Sequence, residues 1–134
     1  MERYDFSFVD YRVIQVNFAL TGESPERVQI QPVLEIDYEK KGSTLELKIG
    51  VSFENPKAPF VFHVRLVGFF EFNNNVEGVD LNDVAKINCA AILYPFVRET
   101  VAELTRRSGF PPLLLPPVNF VTLFKQQQAT DQRP

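Results

Sequence analysis

Apolar and polar residues alternate along four stretches of the first half of the chain. The clearest is 44–54, where Leu, Ile, Val and Phe fill every second position and charged or small residues fill the others. A period of two predicts a strand with one buried face. The same pattern predicts strands at 28–40 and 60–72 and a long, bent strand at 4–20, separated by turns rich in Gly, Pro and Asn. Pro32 lacks a backbone donor, which predicts that its strand is an edge strand or is bulged near its start.

A period between three and four replaces the alternation after residue 80. It predicts a long helix, with Asp80 or Asn82 as its cap and Gly109 just past its end. Pro95 lies inside this pattern and is expected to kink or break the helix. The predicted apolar face consists of Ile87, Ala90, Leu93, Tyr94, Phe96, Val97, Val101 and Leu104.

A loop rich in proline and leucine follows the predicted helix. Four prolines in the seven residues 111–117 hold the backbone extended, so three adjacent leucines within it cannot all point inward. A short amphipathic helix is predicted from Phe120, and the polar tail 125–134 is expected to fray. The predicted fold class is therefore α+β: a four-stranded antiparallel sheet, a long helix, a Pro/Leu-rich loop and a short C-terminal helix, in one domain, 1–134.

Composition narrows the function classes. The chain is 45% hydrophobic and 23% charged, with a net charge of −3, which argues against nucleic-acid binding because that needs a clustered basic face. No stretch reaches the length of a membrane span and the start does not look like a signal peptide, so we expect a cytoplasmic protein without membrane insertion. The lone Cys89 is expected to be a small buried apolar residue in a reducing compartment.

The sequence is poor in catalytic chemistry. His63 is the only histidine, and one His with one Cys makes no recognisable metal site. Glu35, Asp37 and Glu39 share one strand face and are interpreted as the solvated side of an edge strand. We therefore expect no enzyme, no metal and no cofactor. What remains is apolar surface on the loop and the last helix, which suits the binding of unfolded polypeptides.

The C-terminal third resembles a known family. The segment LYPFVRE, the run GFPPLLLPPVNF and a final LF follow one another as in the SecB family of bacterial export chaperones. The resemblance implies an ATP-independent holdase that binds unfolded polypeptides, including preproteins for export. It also implies dimers that pair into a homotetramer, with the long helices between the sheets.

The resemblance also implies which residues bind clients. In SecB-like proteins the client groove is formed by strand residues, the proline-rich loop and the second helix. The matching positions here are Leu34, Ile36, Phe60, Phe62, Leu113, Leu115, Val118, Leu123 and Phe124. The sequence leaves open which of these residues line a groove and which lie in the core or between subunits.

The chain departs from export members where those bind the translocation motor. The positions that match their acidic sheet residues are Gln15, Ala19 and His63, and the tail here is rich in glutamine rather than acidic. Motor binding of that kind depends on charge complementarity, so the missing acids argue against it, but the export motor stays open as a partner. A SecB-like branch that guards one client, such as an antitoxin, stays open.

Two other classes of function stay open. One is a small-ligand carrier or hot-dog-like thioesterase, which would need a closed apolar pocket with a fixed acid or base. The other is a structural subunit that assembles without binding clients.

Overall fold

The computed structural model describes residues 6–23, 30–72 and 80–131, with side chains to residue 128. They form one antiparallel sheet covered on one face by helices. The strands are β1 (Phe6–Leu20), β2 (Val33–Lys41), β3 (Thr44–Phe53) and β4 (Phe60–Phe72), in the order β1-β4-β3-β2. The predicted fold class and all four strands are confirmed.

The outer strands differ in detail from the prediction. β2 is an edge strand, as Pro32 indicated, but it begins only at Val33. The apolar spacing of residues 30–32 had predicted strand there, and that part of the prediction was wrong because Pro32 cannot donate to the ladder. The predicted strand residues 4–5 and 28–29 lie outside the described residues. β1 is bent as expected, with register shifts between Phe8 and Asp10 and between Val13 and Gln15.

The core lies between β3, β4 and the long helix. Every second residue of both strands is buried, as the alternation predicted. Gly68 allows a close approach, since a Cβ atom there would lie 3.2 Å from both Leu93 methyl carbons. The helix therefore rests directly on the centre of the sheet.

The helical stretch has the bounds that its capping signals predicted but is less regular than a single α-helix. It comprises α1 (Leu81–Asp83), a π-helical segment (Val84–Cys89) and α2 (Ala90–Arg107) without interruption. Asp80 is the N-cap, with a side chain that accepts from the backbone of Asn82 and Asp83. Pro95 lies inside α2 and does not end it. The proline thus leaves one continuous helical stretch, with the π-helical segment before it.

The end of α2 follows the predicted signals. Gly109 has φ +91°, and the N–H groups of Gly109 and Phe110 donate to the carbonyls of Arg106 and Thr105, both at 3.1 Å. This pair of bonds is a Schellman motif. Glu103 pairs with Arg106 at 2.6 Å and with Arg107 at 2.8 Å, so both arginines have a partner one turn back.

The last helix is α3 (Phe120–Asp131). Its helical backbone continues through residues 125–131, where the polar composition predicted a fraying tail. Of the helices in the described part of the chain, none has the length and apolarity needed to span a membrane.

Candidate functional site

The Pro/Leu-rich loop (residues 110–119) is fastened along α2 by three side chains. The Tyr94 hydroxyl donates to the Pro116 carbonyl at 2.7 Å, and Arg98 Nε donates to the Leu115 carbonyl at 2.8 Å. The Leu113 N–H donates to the Thr105 hydroxyl at 2.8 Å. An extended, proline-rich backbone makes no hydrogen bonds with itself, so it needs such outside partners. The loop therefore runs antiparallel to α2 in a fixed register.

This register decides where the three leucines point. Leu115 is buried with 1% of its surface exposed, whereas Leu114 is 72% exposed. Leu113 lies between these extremes and packs against the core. The expectation that the three cannot all point inward is confirmed, and the structure identifies Leu114 as the outward one.

The nine predicted client-binding residues divide by accessibility. Phe60, Phe62, Leu115 and Phe124 are buried in the chain. Leu34, Ile36, Leu113, Val118 and Leu123 are partly buried and pack against the same hydrophobic core. The structure therefore brings eight of the nine to one core cluster, and Phe124 is buried outside that cluster.

The π-helical segment links the strand and helix positions of this set. Both β2 and α3 contact Val84–Cys89, so Leu34 and Leu123 belong to elements that meet at the same part of the fold. Tyr94 packs edge-on against Phe120 at 5.5 Å, at the point where the loop enters α3. Strand, loop and last helix thus form one continuous region.

Sequence reasoning missed part of the apolar surface. Val121 on α3 is 44% exposed and adds to the outward Leu114 on the loop as exposed apolar surface. It also missed Tyr94, Arg98 and Thr105 as the residues that hold the loop. These three residues could have been identified from the sequence, because three polar groups lie along a helix next to a loop that lacks its own hydrogen bonds.

The face of the sheet away from the helices carries a different set of residues. Gln15 lies opposite Arg65, and Asn17 lies opposite His63. The Gln15 side-chain amide donates to Asn17 Oδ1 at 2.8 Å and lies 3.3 Å from His63 Nδ1. The three positions where export members carry acids, Gln15, Ala19 and His63, therefore share this face. They are not acidic here.

A groove of about 490 Å³ opens at this end of the sheet. Its lining includes apolar Ala19 and Val61 and the polar side chains of Asn17 and His63. Glu54 lies at the end where the chain leaves β3. The volume falls in the usual range of ligand pockets.

The described residues include few side chains arranged as in a catalytic or metal site. Cys89 has no exposed surface, and its burial raises the pKa of the thiol to about 12. No three His, Cys, Asp or Glu side chains of the described ranges come together as metal ligands. His63 contacts an amide rather than a nucleophile.

Comparison with known proteins agrees with this description. The sequence model of the family described as "SecB: Preprotein translocase subunit SecB" matches residues 13–131. The chain is similar to the protein-export protein SecB of Chromobacterium violaceum, with 36% identity over 109 residues, which cover 75% of this chain and 72% of that relative.

Shorter matches link it to two further relatives of the same name. The SecB of Azoarcus sp. is 36% identical over 89 residues, which cover 66% of this chain and 58% of the relative. The SecB of Aromatoleum aromaticum is 38% identical over 85 residues, which cover 63% and 53%. The matched part is thus less than two thirds of these two proteins.

A solved structure supports the fold. The chain is similar to the Mycobacterium tuberculosis SecB-like chaperone Rv1957, solved in complex with a ChAD peptide from the Rv1956 HigA1 antitoxin. The TM-score is 0.73 with 19% sequence identity, and the match covers 85% of this chain and 91% of the other.

Proposed function

This chain belongs to the SecB family, and we propose that it is an ATP-independent chaperone that holds unfolded polypeptides through the apolar surface of its loop and last helix. The family membership rests on a match over residues 13–131. SecB chaperones are non-enzymatic, so the expectation that this chain is not an enzyme is confirmed. Its place of action is proposed to be the cytoplasm.

The observation that carries the proposal is the outward leucine of the loop. Leu114 is 72% exposed on a backbone that the hydrogen bonds of Tyr94, Arg98 and Thr105 hold in place. Leaving a large aliphatic side chain in water forgoes about 1.5–3 kcal/mol of burial free energy, so a rigidly presented leucine suits the capture of apolar segments. A surface without oriented polar groups also accepts many sequences.

We assign different roles to the nine residues. The partly exposed Leu34, Ile36, Leu113, Val118 and Leu123 are proposed to contact clients directly, together with Leu114 and Val121. The buried Phe60, Phe62, Leu115 and Phe124 support that surface from below.

The test is suppression of aggregation. A chemically unfolded, aggregation-prone protein is diluted into buffer with and without this protein, in the absence of nucleotide, and light scattering is followed. We expect suppression at near-stoichiometric amounts, and a loss of several-fold in potency for Leu114→Asp. Val9→Asp is the matched control, because it places the same charge at an aliphatic position 63% exposed on β1. Equal effects of both substitutions would overturn the assignment to the loop.

A chaperone dedicated to one client is the second candidate. It is favoured by the absence of acidic side chains at Gln15, Ala19 and His63, the positions that serve export members. The similar Mycobacterium chaperone was solved with a peptide from an antitoxin. The same assay separates the two candidates: suppression with several unrelated clients supports the general chaperone. If the folded protein suppresses the aggregation of none of these clients, the chaperone dedicated to one client is the remaining candidate.

A further inference from the structure

The exposed side of the Pro/Leu-rich loop follows a period of three. The four prolines of residues 111–117 fix their own φ angles and hold the residues before them extended, which favours a polyproline II backbone. That backbone has three residues per turn, so every third side chain lies on one edge. Burial has the same period, because Pro111, Leu114 and Pro117 are all exposed. Leu115, which belongs to another edge, is buried.

The line of Pro111, Leu114 and Pro117 is named the proline edge. At a rise of about 3.1 Å per residue it is about 19 Å long, with Leu114 at its centre. The three hydrogen bonds that fasten the loop to α2 all reach the backbone of residues outside this edge. The chain thus presents a straight apolar ridge whose conformation is already fixed before any partner binds.

The backbone of the loop also offers free acceptors. In the described part of the chain, the carbonyls of Leu113 and Leu114 accept no hydrogen bond. A polyproline II backbone cannot bond to itself, so these carbonyls are left for water or for a partner. Tyr hydroxyls and Trp N–H groups are donors attached to large apolar rings. Aromatic side chains can therefore pack on the proline rings and bond the backbone at the same time.

Charge adds a second property that a partner should match. Residues 98–128 contain four Lys or Arg and two Glu, so their net charge is +2 within a chain of net charge −3. Arg107 lies four residues before Pro111, and its side chain is 74% exposed. Lys125 on α3 is also exposed and forms no ion pair with a described residue. An acidic side chain beside the aromatic rings would complement these cations.

We propose that the proline edge docks in an aromatic-lined groove of a folded partner protein, with an acidic side chain at the rim that meets Arg107. Such grooves bind polyproline II segments because an extended backbone loses little conformational entropy on binding. A rigid, convex edge also fits a concave folded surface better than an unfolded segment. The partner would cover Leu114 and so compete with clients. The inference rests on the proposed function for the accessibility of the loop in the assembled protein.

The probes are a WW domain and an SH3 domain whose groove has an acidic rim, because both fold around aromatic grooves that bind polyproline II segments. This chain contains no tryptophan, so tryptophan fluorescence reports the probe alone. We expect at least one probe to bind the full chain. Pro111→Ala with Pro117→Ala should weaken this binding about tenfold, through lost ring contacts and a less rigid backbone.

The matched control removes two exposed prolines from outside the edge. Pro112→Ala with Pro116→Ala makes the backbone equally less rigid but leaves the edge intact, so it should weaken binding about threefold or less. Arg107→Glu should weaken binding of the SH3 probe about fivefold, and high salt should diminish this difference. Lys40→Glu, an equal charge change at an exposed position of β2, should leave the affinity unchanged.

Aggregation suppression separates this inference from the proposed function. The Pro111→Ala, Pro117→Ala variant keeps Leu114 and should suppress aggregation as the unsubstituted chain does. Binding of neither probe, or equal weakening by both pairs of proline substitutions, would overturn the docking site while leaving the holdase proposal standing. Loss of suppression in the Pro111→Ala, Pro117→Ala variant would show that unfolded clients occupy the edge, which would overturn the assignment to a folded partner.

Discussion

At the residue scale, Thr105 connects the loop to the core. It is the one buried polar side chain recorded for the described ranges, with no exposed surface. Its hydroxyl lies 3.1 Å from the Val101 carbonyl and 3.0 Å from the Ala102 carbonyl, and it accepts from Leu113 N–H at 2.8 Å. A single hydroxyl thus satisfies a donor of the loop inside an apolar region, where an unmade bond is costly.

Thr105→Val should therefore lower the free energy of unfolding by about 1–3 kcal/mol, because the isosteric side chain leaves the Leu113 N–H without its acceptor. Urea denaturation followed by circular dichroism measures the change. Thr100→Val is the control on the same helix. The Thr100 hydroxyl bonds only the Phe96 carbonyl one turn back, so its loss should cost less than about 1 kcal/mol. A larger decrease in the free energy of unfolding for Thr100→Val than for Thr105→Val would contradict this account.

The hydrogen bonds of Glu103 to two arginines predict that the stability of the folded chain depends on pH. Hydrogen bonds from Arg106 and Arg107 lower the pKa of its carboxyl from 4.5 to about 2. A lowered pKa in the folded state means that the stabilisation is present above pH 4.5 and is lost as the pH falls towards 2. Glu103→Gln should lower the urea midpoint at pH 7, by an amount that shrinks between pH 4.5 and 2.

The matched control is Glu99→Gln on the same helix, since Glu99 forms no ion pair with any described residue. It should leave the midpoint at pH 7 unchanged. High salt should diminish the Glu103 effect, because the pair is exposed to solvent. A difference at Glu103 that stays constant down to pH 2 would disprove the electrostatic origin.

Residue roles were the least predictable from sequence. The pattern showed that three adjacent leucines could not all be buried, but not that Leu114 faces outward. That choice depends on the hydrogen bonds from Tyr94, Arg98 and Thr105, which set the register of the loop. Burial of Phe60 and Phe62 was visible as alternation, yet alternation cannot say whether the covering element is a helix or a client.

At the element scale, the contact of α2 with the sheet depends on the small size of Gly68. A Cβ atom there would lie 3.1 Å from the Phe70 ring and 3.2 Å from the Leu93 methyl carbons. Phe70 and Leu93 are both fully buried, so neither can move aside without disturbing its neighbours.

Gly68→Ala should therefore destabilise the chain by about 1–3 kcal/mol through overpacking. Gly50→Ala is the control in the neighbouring strand. Its Cβ would meet Arg65 Cγ at 3.2 Å, part of a flexible side chain on the open face, and we expect a change of less than about 1 kcal/mol. Thermal and urea unfolding of both variants measure the difference. Equal stability of the two variants would show that α2 can shift away from the sheet.

Elements themselves were well predicted where the hydrophobic period is strong. β3 and β4 match their predicted ranges to within a residue, and Asp80 caps the helical stretch as expected. At Pro95 the helix is not broken, and along α3 the helical backbone continues through the mostly polar residues 125–131. In both places the surrounding structure matters more than the helix propensity of the local residues in determining whether the helix continues.

At the scale of the whole molecule, β1 presents apolar side chains that the described elements leave about half exposed. Val13 lies opposite Leu66 and Val16 opposite Val64, on the helix side of the sheet. Their partners on β4 are fully buried, whereas Val13 and Val16 are each 45% exposed. β1 is also an edge strand of 15 residues, whose free backbone groups can pair with another chain. A second copy of the chain is the simplest cover for such a strand.

We therefore expect a homo-oligomer, and light scattering after gel filtration should give four times the 15.4 kDa of one chain. Val13→Asp with Val16→Asp should reduce the mass to one or two chains, because four buried charges in a symmetric assembly are costly. Arg12→Asp with Asn17→Asp is the control, since it adds two acids to the other face of the same strand and should keep the mass.

Two results would contradict this expectation. A folded monomer at micromolar concentration would show that β1 tolerates its exposed valines, and it would rule out the expected homotetramer. An unchanged mass in the Val13 and Val16 variant would show that the interface does not lie on the helix side of β1.

Because a 134-residue chain with four strands under one long helix buries a thin core, assembly should also stabilise the fold. The unfolding midpoint of the unsubstituted protein should then rise with concentration, and that of the valine variant should not.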